Sequence, residues 1–451
     1  MQMMKWSVIA LAVAAGTSQM ALASSQSESK GFVEDSSADL LSRNFYINRD
    51  FKNNSSSSQS YFEEWAQGEM LEFQSGFTEG TVGFGVDAYG YMGLKLDTGD
   101  GRVSGSAGLL QQETKSNGGE HATDSYGTAG AAVKARVSDT VLKYGDQRTA
   151  APVFATSDSR LLPETATGFN LMSEEISGLT AEAGHFTAFK NRNGTDHQDG
   201  LKTNYSAVEA DSISYLGATY AVSDELSASL YASEVSDNWR QYYSNLNYTT
   251  ALTEEQSTGV DFNIYRTLSY GSEDSSSINN TTLSVAPFYA IGAHKFTIGY
   301  QQVRGDTPFD YVGGDSIFLA NSVQISDFNL PGLKSWKAQY DLDMSTFGTP
   351  GLTFMARYVV GTGADSNDYE VSQHSQSVLD ADNATYGLDV HGGKLWEQNF
   401  EAKYVIQDGV AKDLSFRLRE AIYRANSEVN GADYKDNNEV RLIVEYPLSI
   451  L

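Results

Sequence analysis

The chain has 451 residues, no cysteine and a formal net charge of −27, from 31 Lys+Arg against 58 Asp+Glu. The absence of cysteine excludes a disulfide framework and thiolate metal sites, and the acidic balance argues against nucleic-acid binding through a basic surface. An apolar fraction of 40% is that of a folded protein, and the length admits two or three soluble domains or one large all-β barrel.

At the N-terminus Lys5 precedes the apolar run WSVIALAVAA, and ALA at 21–23 offers small residues before a cut. This is the pattern of a secretory signal peptide over residues 1–23, cleaved near Ala23, leaving 24–451 as a single domain. The run is too short to span a membrane as a helix, and no other stretch approaches the ~20 apolar residues needed. A membrane location therefore requires a closed β-barrel, the only other way to satisfy every backbone group in lipid.

NNSSSSQS (53–60) is the one low-complexity patch and suggests a turn tip between two strands. From about residue 80 onward the strand signal recurs. Phe84, Val86, Ala88, Met92, Leu94 and Leu96 alternate with Asp87, Tyr89, Tyr91 and Lys95; Leu226, Ala228 and Leu230 alternate with Ser227, Ser229 and Tyr231. Further on, Leu352, Phe354, Ala356, Tyr358 and Val360 oppose Thr353 and Arg357, and Phe400, Ala402 and Tyr404 oppose Glu401 and Lys403. Leu414, Phe416, Leu418 and Ile422 oppose Ser415, Arg417 and Arg419, with Glu420 breaking the pattern. Segments of this dyad repeat, separated by loops of uneven length, are the signature of an outer-membrane barrel. A secreted sandwich also alternates on one face. Mid-strand arginines on one face and aromatic residues near the strand ends on the other favour the barrel. In the final stretch NEVRLIVEYPLSIL, Val440, Leu442, Val444, Tyr446, Leu448 and Ile450 share one face and Arg441 lies on the other. Such a strand is expected to close the barrel against the first one and to be the segment that barrel-assembly machinery recognises.

The sequence also resembles the OprD-type porins of pseudomonads, the outer-membrane carboxylate channels. The blocks GFVEDSSADLLSRNFYINRDF, SGFTEGTVGFGVDAYGYMGLKLD, SRLLPETATGF, RQYYSNLNYT, GGDSIFLANSVQISDFN, PGLTFMARYVVG, AKDLSFRLREA and the C-terminal segment carry the likeness across the mature chain, in order. The resemblance implies an all-β transmembrane antiparallel barrel of about 18 strands, with inward-folded loops forming a narrow eyelet. It implies selective passive uptake of small carboxylates in the bacterial outer membrane, with no enzyme chemistry and no cofactor. It further implies an arginine ladder, at Arg49, Arg160, Arg417, Arg419 and Arg441, faced by Asp315, Ser322, Asp327 and Tyr205. Two departures, the short loop FDYVGGDS and Ile325 before SDF, leave the substrate open.

The residue types make sense on their own terms. A carboxylate that loses water in a narrow pore needs replacement donors, and arginine binds it bidentately while remaining charged. Arg417 and Arg419, two apart on one strand, lie on one side about 7 Å apart. Arg441 has the same parity, so an anion can pass stepwise without one deep trap. Acids at the eyelet would select a zwitterion or a cationic amino acid. The alternatives are a barrel hydrolase using His185, Asp237 and Ser316, though no G-x-S-x-G elbow exists, or an adhesive barrel. Oligomeric state stays open between monomer and weak trimer, and the expected partners are membrane lipid and small carboxylates.

Overall fold

The computed structural model describes residues 26–52, 59–99, 101–104, 107–114, 120–197, 200–206, 208–271, 278–366, 390–431 and 435–451. The expected signal peptide and most of the 53–60 turn tip lie outside them. Eighteen strands form one antiparallel sheet. They are β1 Ser37–Phe51, β2 Tyr61–Gln74, β3 Val82–Asp97, β4 Ser125–Val137, β5 Thr140–Gln147 and β6 Thr165–Ile176. There follow β7 Leu179–Lys190, β8 Ile213–Ala221, β9 Leu226–Val235, β10 Trp239–Ala251, β11 Gln256–Ser269 and β12 Asn279–Ile291. The set ends with β13 His294–Arg304, β14 Lys334–Asp343, β15 Leu352–Asp365, β16 His391–Val405, β17 Ser415–Ala425 and β18 Asn437–Ser449.

The last strand pairs with the first in register from Asp39↔Ser449 to Phe51↔Asn437, so the sheet closes on itself and has no edge. Alternation decides which side each residue takes. Leu230 is 67% exposed on the outer wall while Tyr231, the next residue, is 9% exposed inside. In β18 Arg441 and Glu439 are buried inward and Leu442 is exposed outward. Glu420 does break the pattern: it lies exposed on the outer side of β17, between Phe400 of β16 and Val440 of β18.

Connections on one rim are tight, at 138–139, 177–178, 222–225, 252–255 and 292–293. The opposite rim carries the long ones, at 98–124, 148–164, 191–212, 305–333 and 366–390. Short turns face the periplasm and long loops the outside in such barrels.

The inner wall is two-sided. Along β7–β11 it is aromatic: Phe186, Tyr215, Tyr231, Tyr243 and Tyr265 form one buried cluster with loop residues Phe154, Phe309 and Tyr311. The rings fit because glycines lie beneath them. Tyr215 is the cross-strand partner of Gly184, and a Cβ there would meet its ring at 2.4 Å. Such cross-strand aromatic contacts stabilise the sheet and give the loops an apolar seat. The other stretch, β14–β18 and β1, carries inward charges beside apolar residues: Glu397, Glu439 and Arg441 are buried there, and Val359, Leu395 and Tyr423 share a cluster with loop residues Phe328 and Leu333.

Candidate functional site: the loop-lined lumen

Two loops interlock inside the barrel. In loop 148–164 the Ala155 amide donates to Ser316 Oγ (2.6 Å), and Asp315 N of loop 305–333 donates to Ala155 O (3.2 Å). Glu164 accepts from Ser157 N at 2.8 Å and Gly314 N at 2.9 Å, tying the two loops to one buried carboxylate. A third segment joins them: Thr203 bridges Val312, and Asn204 donates to the carbonyls of Tyr311 and Gly313. Asp310, buried, accepts from Tyr205 N, Ser206 N and Ser206 Oγ and fastens that junction.

The loops are also fastened to the wall. Glu397 of β16 accepts from Ile325 N and Ser326 N. Gln324 donates to Glu439, and its carbonyl accepts from Arg441 at 3.2 Å. Arg43 of β1 binds Glu445 (2.7 Å) and Asp158 (2.8 Å) and donates to the carbonyls of Arg160 and Leu161. Arg148 joins Asp158 from the other side at 3.2 Å. Burial alone would raise the Asp158 carboxyl, but Arg43 and Arg148 outweigh it and hold it below its ordinary value.

The expected arginines fall into two neighbouring groups. Arg49 and Arg441 grip the buried Glu439 from either side, at 2.6 Å each, and Arg160 acts on the same carboxylate. Arg160 itself donates to Ala107 O (2.9 Å) and Ser159 O (3.1 Å) and has no carboxylate in salt-bridge range among the described residues. Burial lowers its pKa, and the guanidiniums of Arg441, Arg192 and Arg49 lower it further against the pull of Glu439. A cation so placed is stabilised by any anion that arrives. In the second group Arg419 of β17 is the direct cross-strand partner of Arg441. Arg417 and Arg419 share Glu401, at 3.6 and 3.1 Å.

The expected acids and hydroxyls come together only in part. Asp327 accepts from Tyr205 OH (2.6 Å), Tyr311 OH (2.7 Å) and Ser322 Oγ (2.6 Å), so Tyr205, Ser322 and Asp327 form one cluster. Three short donors leave that carboxylate largely spoken for. Asp315 stands apart, exposed beside Asp158 N at 3.3 Å. Desolvation within the loop cluster and the nearby Glu164 carboxylate push its pKa up to about 6.

Sequence reasoning missed several charged groups. Arg43, Arg148 and Arg192 sit among the expected arginines, and Glu439 lies at the centre of three of them. Arg43 and Glu439 have the inward parity of Arg49 and Arg441, the signal that would have found them. The hydrolase residues do not converge. His185 is on the outer wall bonded to Ser214 (2.8 Å), Asp237 is in a rim turn, and Ser316 Oγ is buried against the backbone of Ala155 and Val312.

A family model described as "outer membrane porin, OprD family" matches residues 30–450. The chain is 51% identical to Porin D of Pseudomonas aeruginosa strain PAO1 over the full length of both. The crystal structure of P. aeruginosa OprD superposes with a TM-score of 0.79 at 48% identity, covering 95% of this chain and 99% of that one. The structure of P. aeruginosa OpdK with vanillate superposes with a TM-score of 0.79 at 33% identity, covering 93% of this chain and 100% of that one. These relatives are channels rather than enzymes, and the closed barrel with its apolar outer wall fits the outer membrane and its lipid. The chain belongs to the OprD family of outer membrane porins, which take up specific substrates across the bacterial outer membrane.

Proposed function

We propose that the lumen selects small carboxylate-bearing nutrients, amino acids foremost, by passing them along a track of arginines. One observation carries this reading: Arg49 and Arg441 share a single carboxylate, Glu439, and Arg160 acts on it from longer range. Three guanidiniums against one acid leave local positive charge inside a chain whose net charge is −27. The acidic balance repels anions from the bulk surface, whereas the inner wall attracts them. Arg417 and Arg419, with Glu401 between them, extend the positive strip along the wall. Multiple weak sites in series favour conduction over trapping. Asp315, on the loop side, would meet the ammonium or guanidinium of an amino acid while the track holds its carboxylate. The vanillate in the OpdK structure is itself a carboxylate, which supports an anion-handling lumen in a relative.

Arg160→Ala and the double variant Arg417→Ala, Arg419→Ala test the track. Single-channel recordings with amino acids added to one side should show substrate block weakened about tenfold or more, the worth of one charge-assisted hydrogen bond. The barrel should still fold and resist detergent. Unchanged block in both variants would sink the reading.

Three further expectations belong to the same proposal. Residues 1–23 leave as a signal peptide, which the intact mass of the outer-membrane form checks directly; retention of these residues would refute it. The strand β18 serves as the segment the assembly machinery reads, and the pore works as a monomer or weak trimer.

A further inference from the structure

The outer wall carries a groove of about 400 Å³, lined by Leu216, Leu230, Tyr242, Ser244, Ile264 and Arg266. The side chains of these six face away from the lumen. We propose that it binds a phosphorylated, acyl-chain-bearing lipid of the extracellular leaflet, one chain lying in the groove and the phosphate resting on a row of arginines above it.

Cross-strand register builds the site. One hydrogen-bonded row runs Leu216–Ala232–Tyr242–Arg266–Thr281–Arg304 across β8 to β13, every member on the outer side. Adjacent strands lie about 4.8 Å apart, which sets the Cα atoms of Arg266 and Arg304 roughly 10 Å from each other. Below it the row Leu230–Ser244–Ile264–Leu283 is apolar apart from one hydroxyl, and below that come Leu246, Phe262 and Val285. The order from rim to bilayer centre is therefore cation, hydroxyl, hydrocarbon, which is the order of groups along a phosphorylated lipid.

The rim is the long-loop one. Arg304 ends β13, Arg266 lies just before the end of β11, and Arg240 is the second residue of β10. Arg240 is already paired with Glu234 (2.8 Å) and stacked on Tyr270. Among the described residues Arg266 donates to the hydroxyl of Thr281 (3.1 Å) and Arg304 to the amide oxygen of Gln302 (3.1 Å). Neither has a carboxylate in salt-bridge range among the described residues. A guanidinium on a lipid-facing wall is costly unless an anion joins it, and a phosphate at headgroup level supplies that anion with matched fork geometry.

The test is native mass spectrometry of the refolded full-length barrel in neutral detergent. The probes are bisphosphorylated lipid A, its dephosphorylated form and zwitterionic phosphatidylethanolamine. Wild type should retain the phosphorylated lipid over both others. Arg266→Ala with Arg304→Ala should lower retention about thirtyfold, at about 1 kcal/mol per basic side chain. Ala232→Phe, which fills the groove and leaves the charges in place, should lower it as well. Resistance to detergent and unchanged channel conductance show that each variant is folded, and Arg266→Lys, the mildest change, should retain part of the binding. Equal retention by wild type and all variants would overturn the site. So would equal binding of the dephosphorylated lipid, or a self-associated oligomer that the same variants dissolve.

Discussion

Glu439→Gln destabilises the barrel by about 3 kcal/mol while tightening its hold on anions. Glu439 is fully buried, Arg441 nearly so, and Arg49 is only 15% exposed in its side chain. Removing one partner of a buried ion pair leaves the other charge desolvated and uncompensated, which costs about 3–5 kcal/mol. Here one carboxylate serves Arg49 and Arg441 directly and Arg160 at longer range, so glutamine strands more than a single charge. Its amide oxygen still accepts a hydrogen bond, which places the loss at the low end of that range. The freed guanidiniums then look for another carboxylate, and the passing substrate is the one available. The midpoint of the heat-induced mobility shift on gels should fall. Single-channel traces with a carboxylate amino acid should show longer blocked intervals. A variant with the wild-type midpoint and shorter blocks would show that Glu439 is neither a strut nor a counterweight.

The double result separates two roles that the sequence alone runs together. Arginines with inward parity were legible as a group because period-two alternation fixes the side of every residue once the barrel is assumed. Closure of β18 on β1 followed from the same alternation. Which arginines are clamped and which remain available was not legible, since that depends on partners far away in sequence. Arg43 meets Glu445 from the opposite end of the chain, and Asp158 meets Arg43 only because loop 148–164 folds inward. The tyrosines were legible in part. The aromatic residues expected on the outer wall are there, Tyr220, Tyr242, Tyr248 and Tyr289 among them, while Tyr215, Tyr231, Tyr243 and Tyr265 line the inner wall and anchor the loops. Alternation places them inside, but nothing local says that a loop will cover them. Asp327 was expected to face the pore with Asp315. Its three hydroxyl donors come from loops 191–212 and 305–333, and no spacing rule announces such a meeting. Glu420 was visible as an exception from the sequence, and it is one, a carboxylate on the outer wall.

Asp315 should make the pore's preference depend on pH, and Asp315→Asn should remove that dependence. Its pKa is pushed up to about 6 by desolvation and by Glu164. The sign follows from the direction. Above about pH 6 the group is an anion and attracts the cationic end of an arginine-like substrate. As the pH falls through that value the carboxyl takes up a proton and the attraction fades, while the arginine track keeps its charge throughout. Bilayer recordings with a basic amino acid should therefore show stronger block at pH 7.5 than at pH 5, by several-fold at the roughly 1 kcal/mol expected of a wet charge pair. A carboxylate without a cationic group should show the reverse or no change, because neutralising Asp315 removes a repulsion it would feel. In Asp315→Asn both substrates should give flat profiles across that range at the low-pH level of wild type. A step near pH 6 that survives in Asp315→Asn would assign it to another group and overturn this role for Asp315.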